Sequence, residues 1–184
     1  MQMKHKIEQH LLNTAQVIEQ LDIEQITVVA HQMQQCFSND GVVYTCGNGG
    51  SGSTASHFSG DIMKGLSYGQ KKRLKSICLN DNITSMMALA NDVSYADIFV
   101  ELLKNVLTPN DMLIVFSGSG NSPNIVNAIT YANKCGAFSV AICGFNGGQA
   151  KTLATASIHA AIDDMEIAEN VHVAIFHALK VCFM

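Results

Sequence analysis

The sequence has little charge and lacks the features that mark a nucleic-acid-binding or membrane protein. Only 14% of its 184 residues are charged, the formal net charge is −4, and the one basic run is Lys71-Lys72-Arg73. Such a chain has no electrostatic surface for a polyanion or an anionic membrane. No apolar stretch reaches bilayer length, and Met1 to His10 contains no apolar signal core. We therefore expect a cytoplasmic protein that contacts neither nucleic acid nor membrane.

Paired cysteines and linker-like segments are missing as well. The six cysteines form no Cys-x-x-Cys pair, and several fall in apolar runs, which indicates reduced thiols in a core. The two prolines and fourteen glycines lie mostly in short loops. With 48% hydrophobic residues, the chain is long enough for one core and short for two. We expect a single domain over residues 1–184.

Apolar runs alternate with helical periodicity after a helical beginning. Helical spacing predicts a pair of helices within residues 1–38. Strands are predicted at Val42–Cys46, Leu74–Leu79, Met112–Phe116, Phe138–Cys143 and Ser157–Ile162. Helices are predicted at about Ser53–Lys64, Thr84–Ala90 and Tyr95–Leu107, then from Pro123 and from Met165. The order predicts an α/β fold over residues 39–184, with a doubly wound, mostly parallel five-stranded sheet.

The loop after the first predicted strand, Gly47–Ser53, matches the G-x-G-x-x-G pattern of dinucleotide-binding proteins. That fingerprint expects an acidic residue about twenty positions later, to hold a ribose. The best candidate, Asp81, comes too late in the sequence. A Walker P-loop is excluded because no Lys-Ser or Lys-Thr follows the glycines. The spacing therefore argues against a nucleotide.

A second loop of the same composition, Ser117–Ser122, follows the third predicted strand and precedes Pro123. Backbone N–H groups, serine hydroxyls and a helix N-terminus together favour an anion. The two loops predict a clasp for one phosphorylated ligand. The alternative is a pair of tight turns with capping serines. The predicted contacts are Asn48, Gly49, Gly50, Ser51, Ser117, Gly118, Ser119 and Ser122.

Two helices carry residues that could bind a metal. His57 and Asp61 are four apart on the helix after the first loop, and Glu169 and His177 are eight apart on the last helix. A set of His57, Asp61, Glu169 and His177 would suit Zn²⁺ or a similar cation. An exposed or capping His/Asp pair is the plainer interpretation. His172, beside these residues, is predicted to be a packed core histidine.

Three motifs together resemble the SIS (sugar isomerase) domain. They are Cys46-Gly47-Asn48-Gly49-Gly50-Ser51, Asn91-Asp92 and Ser119-Gly120-Asn121-Ser122. Within that family the sequence is most similar to the sedoheptulose-7-phosphate (phosphoheptose) isomerases, over nearly the whole chain. The resemblance implies a flavodoxin-like fold, a zinc ion in each site, and a homotetramer with active sites between subunits.

The resemblance also implies roles for individual residues. His57, Asp61, Glu169 and His177 match the zinc-binding and catalytic positions, with Asp61 as the base that forms an enediol and His177 as its partner. Glu169, Asn91 and Asp92 match substrate contacts. Two positions depart from the family, which has Glu at position 61 and Gln at position 169. A plain Asn-Asp turn is an equal alternative for Asn91 and Asp92.

The implied reaction is aldose–ketose isomerisation of sedoheptulose 7-phosphate for heptose and surface-polysaccharide synthesis. Two alternatives remain open from the sequence. Some SIS proteins bind regulatory partners and need no catalytic residues, although the four retained side chains argue against that class. The loops also fit other phosphosugars, because they contact phosphate and hydroxyl groups generically.

Overall fold

A computed structural model describes residues 2–184, and its centre is a five-stranded sheet in which every strand pair is parallel. The strands are β1 (Val42–Gly47), β2 (Lys75–Cys78), β3 (Met112–Ser117), β4 (Phe138–Cys143) and β5 (Ala156–His159). Their order across the sheet is β2-β1-β3-β4-β5. The predicted doubly wound α/β fold is confirmed, and the sheet is wholly rather than mostly parallel.

Helices cover both faces of this sheet. They are α1 (Gln2–Glu19), α2 (Ile23–Ser38), α3 (Gly49–Gly60), α4 (Ile83–Asp92), α5 (Ile98–Leu103), α6 (Pro123–Lys134), α7 (Gly148–Leu153) and α8 (Met165–Val181). The first two are the predicted N-terminal pair. One π-helical turn, Asp61–Leu66, continues α3, and 3₁₀ turns occupy Leu79–Asp81 and Tyr95–Asp97. Within residues 2–184, no helix combines the length and apolar character needed to cross a membrane.

Strand β3 is the middle strand, and all of its residues are buried, as expected for a parallel strand covered on both faces. One apolar layer contains residues of α2, α3 and α8, and the other contains residues of α5 and α6. In the first layer the rings of Phe58 and Phe176 lie 5.3 Å apart. This contact fixes α3 against α8, so the two helices that carry the predicted catalytic residues are neighbours.

The strand order reverses direction between β1 and β3. Gly47, the last residue of β1, pairs in register with Phe116 near the end of β3. The two loops that follow these strands therefore open side by side at the carboxyl edge of the sheet. A reversal point of this kind is where open α/β sheets bind ligands.

Some predicted bounds were wrong, and one helix was missed. The helix predicted from Ser53 begins at Gly49, so most of the predicted first loop forms the first turn of α3. The last strand was predicted to continue to Ile162 but ends at His159, because the chain turns after it: Ile162 N donates to Ala160 O at 2.8 Å. Helix α7 was not predicted. It is only six residues long, and its N-cap, Gly147, has a φ of 87°.

The cysteines agree with the expectation of core thiols. All six are free, and Cys36, Cys46, Cys78 and Cys143 are buried. Burial raises the pKa of the Cys143 thiol to about 11. Such thiols are poor nucleophiles at neutral pH.

Candidate active site

The first loop turns sharply from β1 into α3. A Cβ atom on Gly47 would lie 2.5 Å from the backbone carbon of Ser51. The side chain of Asn80 holds this turn twice: its oxygen accepts from Gly47 N at 3.1 Å, and its nitrogen donates to Gly47 O at 2.8 Å. Asn48 is the N-cap residue of α3, but its side chain makes no capping hydrogen bond. The first turn of α3 is thus left uncapped towards a ligand.

The second loop is braced from within and by α7. Ser117 Oγ accepts from Gly120 N at 3.1 Å, and Gly120 has a φ of 66°. From α7, Ala150 N donates to Gly120 O at 2.9 Å. Ser122 is the N-cap residue of α6, and its side chain makes no capping hydrogen bond. Like the first loop, it therefore presents an uncapped helix N-terminus.

Between the loops lies a cavity of about 270 Å³. Its walls are the predicted loop contacts, Glu169 and one residue that was not predicted, Met165: Asn48, Gly49, Gly50, Ser51, Ser117, Gly118, Ser119, Ser122, Met165 and Glu169. The structure therefore brings the two predicted loops together around one space. Several of the lining residues carry hydroxyl or amide groups, and the volume admits a small ligand.

A pair of side-chain amides joins the first loop to the first turn of α6, which directly follows the second loop. Asn48 Nδ2 donates to Asn124 Oδ1 at 2.9 Å, and Asn124 Nδ2 donates back to Asn48 Oδ1 at 2.8 Å. Tyr95 adds a third bond, from its hydroxyl to Asn48 Oδ1 at 3.0 Å. Asn124 and Tyr95 were not predicted. Their only signal was that each lies a few residues beyond a motif that was recognised.

Asn91 and Asp92 lie outside the cavity, at the end of α4. Both side chains are exposed, and Asn91 Nδ2 donates to Asp92 Oδ1 at 2.7 Å. The nearby Tyr95 connects this segment to Asn48 of the first loop. The pair borders the site without lining it in the single chain.

A second group of polar side chains lies between α3 and α8. His57, Asp61 and His177 each offer one ligand atom, and these atoms lie within 4.8 Å of one another. His177 Nε2 is 3.6 Å from Asp61 Oδ2. Asp61 is the first residue of the π-helical turn, a distortion that is frequent at functional sites. Three side chains that can bind a cation or carry a proton thus lie close together.

Glu169 is not part of this group. It was predicted to share a face of α8 with His177, but eight residues of α-helix separate the two by about 12 Å along the axis. The carboxylate of Glu169 lies instead at the first loop, where a Cβ on Gly50 would be 2.6 Å from Glu169 Oε1. In the single chain, the predicted four-residue set is divided between the cavity and the His57, Asp61 and His177 group.

A larger cavity, of about 410 Å³, lies at the amino edge of the sheet and includes Asp111. The carboxylate of Asp111 is fully engaged by the fold: Oδ1 accepts from Val42 N at 2.7 Å, and Oδ2 accepts from Thr108 N at 2.7 Å. A carboxylate held in this way by backbone N–H groups stabilises a turn, which accounts for Asp111 without a role in chemistry. The smaller cavity at the carboxyl edge is the better site.

His172 is fully buried beside Phe116, with ring centroids 6.3 Å apart, as predicted for a core histidine. Its two ring nitrogens have no hydrogen-bond partner among the described residues. Burial lowers the pKa of His172 to about 4. The imidazole is therefore neutral in the folded protein near pH 7.

His172 predicts a loss of stability in mild acid. The unfolded chain takes up a proton near pH 6.5, whereas the folded chain resists protonation down to about pH 4. The unfolded state therefore binds more protons between these values. The contribution of neutral His172 to the free energy of unfolding is fully present above pH 6.5. It falls by about 3 kcal/mol as the pH decreases towards 4. Urea unfolding of wild type and His172→Phe across this range measures the effect, and equal pH slopes for the two proteins would contradict it.

A family model described as the SIS domain matches residues 8–144. The chain belongs to the SIS domain family. A phosphoheptose isomerase of Coxiella burnetii is 31% identical to this SIS domain over 185 aligned residues, 96% of this chain and 89% of that protein. One of Helicobacter pylori is 32% identical over 152 residues, 83% of this chain and 79% of that protein. The solved structure of a phosphoheptose isomerase from Francisella tularensis has a TM-score of 0.90 at 25% identity, covering 100% of this chain and 98% of that one.

These relatives confirm the resemblance carried by the loop motifs. Within the SIS family, this chain belongs to the phosphoheptose isomerase branch, whose members are sugar-phosphate isomerases.

The His57, Asp61 and His177 group of this SIS domain fits a divalent cation. Two imidazoles and a carboxylate are ligands that Zn²⁺ accepts. Asp61 Oδ2 is a buried acceptor without a hydrogen-bond partner, although Lys180 Nζ lies 2.9 Å from it. The contact with Lys180 is therefore an ion pair, and the lone pairs of Asp61 Oδ2 accept no hydrogen bond within the described residues. The fit rests on three residues, since Glu169 lies elsewhere.

Proposed function

We propose that the protein is a cytoplasmic phosphoheptose isomerase that converts sedoheptulose 7-phosphate to D-glycero-D-manno-heptose 7-phosphate for heptose and surface-polysaccharide synthesis. The observation that carries this proposal is the cavity of about 270 Å³ between two hydroxyl- and amide-rich loops. The membership in the phosphoheptose isomerase branch supports the same reaction. A ketose with a terminal phosphate has the anionic end and the hydroxyl groups that such a cavity would bind.

In this proposal the phosphate binds at the second loop. The hydroxyls of Ser117, Ser119 and Ser122 and the N-terminus of α6 would donate to its oxygens. Asn48 and Ser51 of the first loop would contact the sugar chain. Asn91 and Asp92 are proposed to bond sugar hydroxyls from the edge of the site.

Proton transfer is assigned to Asp61 and His177. Asp61 would remove the proton next to the carbonyl carbon and return it to the neighbouring carbon, through an enediol. His177, 3.6 Å from Asp61, would carry the proton between the oxygens. The side chain of Asp61 is only 19% exposed, so the carboxylate is partly shielded from solvent.

The distance between the cavity and the His57, Asp61 and His177 group supports an oligomer, which we propose to be a homotetramer with active sites between subunits. Helix α1 exposes an apolar row in which Met3, Ile7 and Leu11 are 82%, 62% and 63% accessible. On α4, Ile83 and Met87 are 69% and 67% accessible. Apolar rows of this kind are typical of subunit contacts.

We propose that His57, Asp61 and His177 hold a divalent cation such as Zn²⁺, one in each site. The cation would supply a Lewis acid that polarises a substrate oxygen. Glu169 remains the predicted fourth ligand. In the single chain its carboxylate is held at Gly50, so its participation depends on assembly.

The isomerase proposal is tested by mixing the purified oligomer with sedoheptulose 7-phosphate in D₂O. Aldose formation and deuterium incorporation at C2 are the expected results, and a panel of other ketose and aldose phosphates measures specificity. If another phosphosugar reacts faster, the substrate assignment is wrong. If ligands bind but none turns over, the protein is a phosphosugar-binding regulator instead.

Glu169→Gln is expected to lower the KM for the phosphorylated substrate by roughly three- to tenfold. The carboxylate lines the cavity, so its removal relieves repulsion with the incoming phosphate. Steady-state kinetics at low ionic strength measure the change. Glu166→Gln, on the exposed first turn of the same helix, is the control for charge alone. An unchanged or higher KM would show that Glu169 does not repel the substrate.

A further inference from the structure

A lysine contacts the carboxylate that we assign as the base. Lys180 lies in the last turn of α8, and its Nζ is 2.9 Å from Asp61 Oδ2. His177, one helical turn earlier, has its Nε2 3.6 Å from the same oxygen. That oxygen is buried. Two cationic or potentially cationic groups of one helix therefore converge on the atom that a metal ion would also use.

The fold makes room for this lysine. A Cβ atom on Gly65 would be 3.0 Å from Lys180 Cε and 3.1 Å from its Nζ. Gly65 belongs to the same π-helical turn as Asp61. The absence of a side chain at Gly65 thus lets the end of the lysine reach Asp61. The contact is built by three positions, Asp61, Gly65 and Lys180.

Partial burial strengthens the electrostatic attraction between Lys180 and Asp61. The side chains of Lys180 and Asp61 are only 22% and 19% exposed, so solvent screens the pair less than it screens a surface pair. A divalent cation bound to Asp61 would sit about 2 Å from the carboxylate oxygen. It would then be a few ångströms from the ammonium, and the two positive charges would repel each other.

We propose that Lys180 is an internal counter-cation for Asp61. It positions the carboxylate in the absence of metal, and it weakens the binding of divalent cations to the His57, Asp61 and His177 group. Lys180 is a positioning residue, since it acts through Asp61 and not on the substrate. The inference rests on the proposed function of this group, but it is tested by metal affinity and does not depend on turnover.

The test is a titration of the intact, metal-stripped protein with Co²⁺. Binding is monitored by calorimetry and by the visible absorption of the bound ion. Lys180→Met, which keeps the length of the side chain but not its charge, is expected to bind Co²⁺ at least about tenfold more tightly than wild type. Lys180→Arg keeps the charge and should remain close to wild type. A purely structural role would give looser binding or none on either substitution.

Gly65→Ala provides an independent variant, because the added methyl would displace the end of Lys180 by a few tenths of an ångström and lies at ordinary contact distance, 3.7 Å, from Asp61 Oδ1. It should tighten Co²⁺ binding in the same direction as Lys180→Met. Gly60→Ala is the matched control, since a Cβ there meets nothing within 4 Å. Circular dichroism establishes that each variant is folded.

Equal or weaker Co²⁺ affinity in folded Lys180→Met would overturn the inference, and so would the absence of Co²⁺ binding by both proteins. Neither result bears on isomerase activity, which is measured separately with wild type. Conversely, a wild-type protein that turns over no phosphosugar, together with tighter Co²⁺ binding by Lys180→Met, would refute the proposed reaction and support the role of Lys180.

Discussion

Asp61→Asn is expected to lower kcat for isomerisation by about a thousandfold, in the range found when a general base is removed. The amide has almost the same shape as the carboxylate but cannot accept the proton next to the carbonyl. Deuterium incorporation at C2 should fall in parallel. Because this substitution also removes the ion pair with Lys180, circular dichroism and the unfolding midpoint must be measured on the same sample.

Two further variants make the result specific to Asp61. Asp81→Asn changes an aspartate that lies near α3 and accepts a hydrogen bond from Ser56 Oγ at 2.7 Å, outside the proposed chemistry. It should keep wild-type kcat. Asp61→Glu restores the family's residue and a carboxylate, and should retain more activity than Asp61→Asn. Wild-type turnover by Asp61→Asn would refute its role as the base.

Gly47→Ala is expected to reduce the free energy of unfolding by about 3 kcal/mol and to weaken phosphosugar binding strongly. The new Cβ would lie 2.5 Å from the backbone of Ser51 and 2.8 Å from Gly52 N. Backbone atoms cannot move aside as a flexible side chain can. The first turn of α3 must therefore shift, and with it the loop that faces the cavity.

Urea unfolding measures the stability change, and calorimetry with the substrate or a non-reactive phosphosugar measures binding. Gly60→Ala is the control, because its Cβ has open space and its φ of −60° suits any residue. Alanine in that helical position should be neutral or stabilise by about 0.5–1 kcal/mol. If Gly47→Ala were as stable as Gly60→Ala, the close approach at Gly47 would be refuted.

The fold could be predicted largely because strands of a parallel sheet that are buried on both faces have continuous apolar sequences. The fourth strand, Phe138–Cys143, was predicted with the bounds that it has. The last strand was predicted to end at Ile162 instead of His159, because apolar residues continue where the ladder has already ended. Helix α7 gives no periodic signal, since six residues are fewer than two turns.

For the site, sequence reasoning identified residues that the structure brings together where local composition carries the signal. Both loops were recognised from their glycines and hydroxyls, and His57 and Asp61 from their spacing of four. It could not find Asn80, Asn124 or Lys180, because their contacts to Gly47, Asn48 and Asp61 join residues far apart in the sequence and are made only by tertiary packing. The grouping of Glu169 with His177 failed in the single chain because angular position on a helix says nothing about distance along it.

The paired amides of Asn48 and Asn124 have a consequence for how ligands are selected. Each side chain both donates and accepts, so rotating either amide by half a turn would break both bonds at once. The pair therefore fixes the distance between the start of α3 and the start of α6 in the ligand-free protein. A preorganised site loses little binding free energy to the ordering of its loops. Because the loops cannot readily move apart, such a site favours ligands that fit the existing gap.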